Sequence, residues 1–118
     1  MKLSCPLEHE EQVAFVKWLR LVHPRVPFIA IPNGGWRHKA TAGRLKAEGA
    51  QPGAPDLMIP VPIGDKHGLF IEMKRERGGQ LSESQKEFIP ILREHGYAVE
   101  VCAGALAAIE AFERYFKN

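Results

Sequence analysis

The segment Leu69-Phe70-Ile71-Glu72-Met73-Lys74 constrains the fold more than any other. An apolar run of this length reads as a buried strand, yet it closes on a carboxylate and an ammonium. Side chains alternate along a strand, so Glu72 and Lys74 share one face while Ile71 and Met73 point to the other. A second apolar run, Leu57-Met58-Ile59, opens on Gly53-Ala54-Pro55-Asp56. Pairing of the two strands brings Asp56 to Glu72 and Lys74. Two carboxylates beside an ammonium make a poor core but a good site for a hard divalent cation and a phosphate.

The rest of the chain reads as a mixed α/β pattern. Pro6 suits a first helical turn, and Glu8, Glu10 and Glu11 favour that helix's N-terminal end. Val13, Phe15, Val16, Trp18, Leu19 and Val22 follow at helical spacing up to His23-Pro24. Val26 to Ile31 is β-rich, with Pro27 marking an edge or a strand start. Pro32-Asn33-Gly34-Gly35 is a turn, and Lys39 to Glu48 is a polar, helix-compatible stretch ended by Gly49. Asp56 to Val61 and Leu69 to Lys74 form two strands joined by a hairpin-length connection. Ser82 with Gln85 three residues on forms a capping box, which starts a helix that carries an awkward Pro90. Tyr97 to Cys102 alternates as a strand. Ala105 to Phe116 is an amphipathic helix with Leu106, Ile109, Phe112 and Phe116 on one side. With no repeat and no linker, residues 1–118 read as one domain whose mixed sheet has helices on both faces.

Composition excludes several classes. With 45% hydrophobic and 25% charged residues the chain is an ordinary globular one. Pro, Gly or charge interrupts every apolar run well short of the ~20 residues that span a bilayer, and the N-terminus lacks a secretory signal. Cys5 and Cys102 fit no zinc spacing, and His9, His23, His67 and His95 supply no i,i+4 pair. The cysteines therefore read as reduced thiols of an intracellular, cytoplasmic protein with no membrane association. The net charge is only +2, but its distribution is uneven. Arg37, Lys39, Arg44 and Lys46 lie between Asn33 and Gly49, and Lys74, Arg75 and Arg77 lie before Gln80. Both basic clusters flank the acidic motifs, a rim suited to a polyanion or equally to solvated loops. Trp36, beside the Asn33 turn, either stacks on an unpaired base or anchors its loop to the sheet.

Taken together, these motifs resemble the PD-(D/E)xK nuclease superfamily: Pro55-Asp56 precedes Glu72-Met73-Lys74. Glu8 stands four before Gln12, Pro32-Asn33-Gly34-Gly35 follows the first strand, and Leu81-Ser82-Glu83-Ser84-Gln85 follows a glycine-containing loop. In that order the motifs are similar to the VRR-NUC family, from Glu8 to about Cys102. The resemblance implies a restriction-endonuclease-like fold with an α-β-β-β-α-β core. It also implies a metal-dependent, structure-selective DNA endonuclease acting on branched DNA such as Holliday junctions or flaps. Small stand-alone members imply a homodimer.

On that resemblance Asp56 and Glu72 would ligate Mg²⁺ or Mn²⁺, with the backbone carbonyl of Met73 as a further ligand. Lys74 would orient or help deprotonate the attacking water, or stabilise charge on the phosphate. Glu8 would hold metal-bound water or a second ion, although Glu10 and Glu11 compete for the role and only the spacing to Gln12 selects Glu8. Gln85 would sit beside Lys74 as well as completing its capping box. Asn33, Trp36, Arg37, Lys39, Arg44, Arg75 and Arg77 would contact DNA. Two other readings are a non-catalytic DNA-binding module, which needs none of the acidic residues, and a restriction-type duplex endonuclease, for which the chain leaves little room.

Overall fold

The computed structural model describes residues 4–32 and 39–117. Four strands make one sheet: β1 (Ile29–Ala30), β2 (Leu57–Ile59), β3 (Leu69–Lys74) and β4 (Ala98–Ala103), in that spatial order. β1 pairs antiparallel with β2, and β2 with β3, while β3 and β4 run parallel. The parallel pair requires a crossover, supplied by helix α3 (Glu83–Glu94). Helices α1 (Glu8–Val22) and α4 (Ala105–Phe116) pack on the opposite face, and α2 (Lys39–Ala47) lies between β1 and β2 in the chain.

Every residue of β3 is buried, because this strand has both neighbours and both faces covered. Leu69, Ile71 and Met73 face α1 and α4, in a core with Phe15, Leu19, Leu57, Ile59, Cys102 and Phe112. Phe70 faces the other way, onto Ile89 of α3 and Val99 of β4. By alternation Glu72 and Lys74 lie on that α3 side, at the end of the sheet where the apolar packing stops. In the core on the α1–α4 side, the Cys102 thiol is pushed up to about 12 by burial.

Two strands are shorter than their β-rich sequences suggest. Val26 is drawn into a turn, its N–H bonding to the His23 carbonyl, and Pro27 cannot donate to a ladder, so β1 begins only at Ile29. Pro60 ends β2 for the same reason, and Asp56 falls just outside it. Helix packing also departs from the simplest apolar stripe. Leu106 is 67% exposed, and Ala108, Ala111, Phe112 and Tyr115 form the buried face of α4 instead. Leu106 sits about 120° round the helix from Phe112, at 100° per residue. On α1 the buried line starts at Glu11 and continues through Phe15 and Leu19, leaving Val13 and Val22 outside. Pro6 lies before the helix, and His23 covers Phe112 with ring centroids 4.9 Å apart.

Phe112 is the hub of this core, meeting Phe15, Trp18, His23 and Phe116. Phe112→Ala is expected to cost about 3–5 kcal/mol of unfolding free energy, measurable by urea denaturation. A loss below about 1 kcal/mol would show that the α1–α4 layer contributes little.

Candidate active site

The end of the sheet is built by a break in its own ladder. Continuing the β2–β3 register beyond Leu57 and Ile71 places Pro55 opposite Met73. Proline has no N–H, and the ladder stops. The Asp56 carboxylate takes over: its Oδ2 accepts the Met73 N–H at 2.7 Å. The Asp56 carbonyl accepts from Ile31, which ties the residue to the chain leaving β1 as well. In an extended strand the N–H and C=O of one residue point the same way, so the Met73 carbonyl also faces the gap beyond β2.

Glu72, Lys74 and Gln85 form a hydrogen-bonded set next to Asp56. Gln85 donates from Nε2 to Glu72 Oε2 at 2.9 Å, and its Oε1 accepts from Lys74 Nζ at 3.0 Å. The same Oε1 accepts the Ser82 N–H at 2.8 Å, while Ser82 Oγ accepts from the Gln85 N–H. The capping box and the contact with Lys74 are therefore one structure. Lys74 Nζ is 3.5 Å from Glu72 Oε2.

The three acids at the start of α1 have three different positions. Glu10 turns back to accept the Leu7 N–H at 2.7 Å and caps its own helix. Glu11 is buried and accepts the Ala105 N–H at the start of α4. Glu8 alone of the three joins the acidic site: one oxygen each from Glu8, Asp56 and Glu72 lie within 4.8 Å of one another. Arg75 holds the approach to this helix, donating to the carbonyls of Cys5 and Pro6. Its guanidinium, expected on DNA, is engaged in seating α1 beside β3. The Arg77 backbone hydrogen-bonds the Cys5 thiol and is the largest cause of its lowered pKa.

Charge in the cluster is poorly balanced. Glu72 is 1% exposed, and its pKa is pushed up to about 8, first by burial and then by the neighbouring Asp56 charge, against the opposing pull of Lys74. Burial also raises Glu8. Among the described residues, Glu72 Oε1 is a buried oxygen with no hydrogen-bond partner. Two facing carboxylates contain no donor between them, so a proton shared with Asp56 or a cation would satisfy that oxygen. Three carboxylates at this spacing, with an all-oxygen donor set, fit a hard divalent cation.

Other residues expected at the site are distributed more widely. Lys39 opens α2, and Arg44 and Lys46 lie in its last turn, both exposed. Arg77 is exposed in the loop after β3. Asn33, Trp36 and Arg37 lie outside the described residues. What the sequence reading missed is Glu11, whose signal was available: it is one helical step from Phe15 on the buried stripe.

A mixed sheet with a Pro-Asp turn at one strand end and a Glu-x-Lys at the end of its neighbour defines a nuclease-type α/β domain of the PD-(D/E)xK kind. Within it, the model of the VRR-NUC domain matches residues 8–106, and the chain belongs to the VRR-NUC family. A solved structure described as a VRR_NUC domain protein superimposes with a TM-score of 0.81 at 27% sequence identity, covering 98% of this chain and 92% of that one. A comparison with curated proteins returned no match. No helix among the described residues is long and apolar enough to cross a membrane.

Proposed function

We propose that this protein is a divalent-metal-dependent DNA endonuclease whose substrates are branched molecules such as junctions or flaps. The observation that carries the reading is the convergence of Glu8, Asp56 and Glu72 on one ion-sized gap, with Lys74 held at its edge. A purely binding module has no use for three carboxylates that would repel a phosphate backbone.

Asp56 and Glu72 would hold Mg²⁺ or Mn²⁺, with Glu8 and the Met73 carbonyl completing the protein's share of oxygens. A bound cation supplies Lewis acidity toward a phosphate oxygen and toward the attacking water. Lys74 is positioned by Gln85 rather than left free, so its ammonium meets the phosphate or water without a search through rotamers. There it stabilises the charge that grows on the phosphoryl oxygens, or orients the water. A proton held on Glu72 would have to leave before the carboxylate could ligate, which would couple cation binding to proton release. In-line attack of water on phosphorus would form a new P–O bond as the P–O3′ bond breaks, leaving a 5′-phosphate and a 3′-hydroxyl that takes up the proton given up by the water. The substrate would be held by the exposed basic residues of α2 and the β3–α3 loop, with Asn33, Trp36 and Arg37 contributing from the segment between β1 and α2. Two copies acting as a homodimer would present two such sites to a junction.

The test is a cleavage panel of four-way junction, flap, splayed arm and linear duplex, with Mg²⁺, Mn²⁺ and chelator. Cleavage of a branched substrate in either metal and none in chelator is expected. Absence of cutting on all four would remove the enzymatic reading. A preference for linear duplex would leave an endonuclease of restriction type. Light scattering during the same preparation reads the dimer, and a monomer mass at assay concentration removes it.

Arg44→Ala and Arg77→Ala are expected to weaken binding about uniformly across DNA shapes. Each should reduce the slope of log affinity against log salt by about 1. Fluorescence anisotropy over a salt series measures this, and an unchanged slope would move the binding surface elsewhere.

A further inference from the structure

Gly53 begins the Gly-x-Pro-Asp turn, and its backbone explains only part of its presence. Pro52 and Gly53 occupy the central positions of a turn closed by the Ala54 N–H on the Gln51 carbonyl, with Gly53 at a φ of +85°. Proline followed by a positive-φ glycine is the signature of a type II turn. A second constraint comes from outside the turn. A Cβ on Gly53 would lie 2.2 Å from the Ser84 carbonyl oxygen, 2.4 Å from its carbon and 2.8 Å from the Gln85 nitrogen. All three are backbone atoms of the first turn of α3, so no side-chain rotation relieves the contact. By contrast, Gly64 has a φ of +59° and open space where its Cβ would be.

We propose that Gly53 is a positioning residue: its missing side chain is the seat for the first turn of α3, and that seat carries Gln85 onto Lys74 and Glu72. The inference rests on the nuclease reading of the site. One loop thereby sets both halves of it. Three residues beyond Gly53, Asp56 reaches the gap. Across the seat, Gln85 fixes Lys74 Nζ and occupies Glu72 Oε2, so that Glu72 Oε1 remains the oxygen without a hydrogen-bond partner. A shift of α3 by the ångström or so that a methyl group demands would lengthen both Gln85 bonds beyond hydrogen-bonding distance. Glu72 would stay on β3, Glu8 on α1, and Asp56 on its hydrogen bond to the Met73 N–H.

The experiment compares wild type with Gly53→Ala, Gln85→Ala, the double variant and Gly64→Ala, which has the positive-φ strain without the contact. For the first two, kcat on the best-cut branched DNA is expected to fall by about 10–100-fold with KM within about twofold. The double variant should be no slower than Gln85→Ala within about twofold, because both act through one contact. Gly64→Ala should melt lower yet cut at the wild-type rate. Multiplying losses in the double variant would overturn the proposal, as would full activity of Gly53→Ala. If Gly53→Ala does not fold, Gln85→Asn decides: it keeps the seat but is one methylene too short, and wild-type kcat in that variant sinks the proposal. If wild type cuts no DNA, the nuclease reading fails by itself. The positioning claim is then read from Mn²⁺ affinity by calorimetry, with about a tenfold, non-additive weakening expected and additive or absent weakening overturning it.

Discussion

Asp56→Asn and Glu72→Gln are each expected to abolish measurable turnover while leaving a folded protein. Each substitution preserves shape and removes one carboxylate from the cluster that we propose holds the cation. Loss of a single preorganised electrostatic group in an active site costs about 10²–10³-fold in rate, and direct metal ligands cost at least as much. Glu72 is the more severe case, since its buried oxygen has no other partner to satisfy it. Lys74→Ala should fall in the same range, with metal affinity retained. Glu8→Gln should cost less, because Glu8 is only partly buried and Asp56 and Glu72 are the proposed principal ligands of the gap it shares. Single-turnover cleavage with saturating enzyme, beside circular dichroism of each variant, makes the comparison. Rates for Asp56→Asn or Glu72→Gln within tenfold of wild type would show that these carboxylates are not the metal-holding groups.

The second large effect is a stability that falls as pH rises. Glu72 has a native pKa near 8 against an ordinary value of 4.5, and so the folded chain holds a proton that the unfolded chain has lost across this window. Stability therefore declines as pH rises from about 4.5, and the full penalty is present above about 8. Integrated over such a shift the loss is on the order of 5 kcal/mol. Glu8, also raised by burial, contributes with the same sign. Urea denaturation in chelator at pH 5.5 and 8.5 should show the drop, and Glu72→Gln should remove most of it. Saturating Mn²⁺ should restore stability at the higher pH, because the cation takes the place of the proton. Calorimetry at pH 7 in buffers of different ionisation enthalpy should count about one proton released per ion bound. A stability that rises through this window in chelator would mean that Glu72 is ionised in the free protein and that its charge is balanced by groups other than a proton.

Much of this architecture is legible without coordinates. The bounds of β3 and α4 follow from apolar patterning alone, and the Ser82–Gln85 capping box announces the start of α3. Strand ends beside prolines are less legible. Ile29–Ala30 and Leu57–Ile59 are cut short by prolines whose effect depends on which neighbour would have accepted or donated the missing bond. Leu106 falls off the buried face of α4 because close packing of the helix against the sheet and α1 selects the small side chains of Ala108 and Ala111. Glu8, Glu10 and Glu11 show the same limit at the site. Spacing to Gln12 selects Glu8 and the buried stripe marks Glu11, but what each carboxylate touches, the Leu7 N–H, the Ala105 N–H or the gap with Asp56 and Glu72, is decided by packing.

The order of residues along the chain determined which groups could take part: the strand ending in Glu72 and Lys74, the turn delivering Asp56, and the basic flanks. Those are local matters, governed by alternation and turn chemistry within a few residues. Distances between these groups were decided only by the folded molecule. Whether carboxylates from α1, the β2 entry and β3 converge on one gap depends on helix seating, on Pro55 breaking the ladder opposite Met73, and on a glycine small enough for α3 to close against. Such contacts join residues far apart in the chain, and their energies arise from packing that no short window of sequence contains.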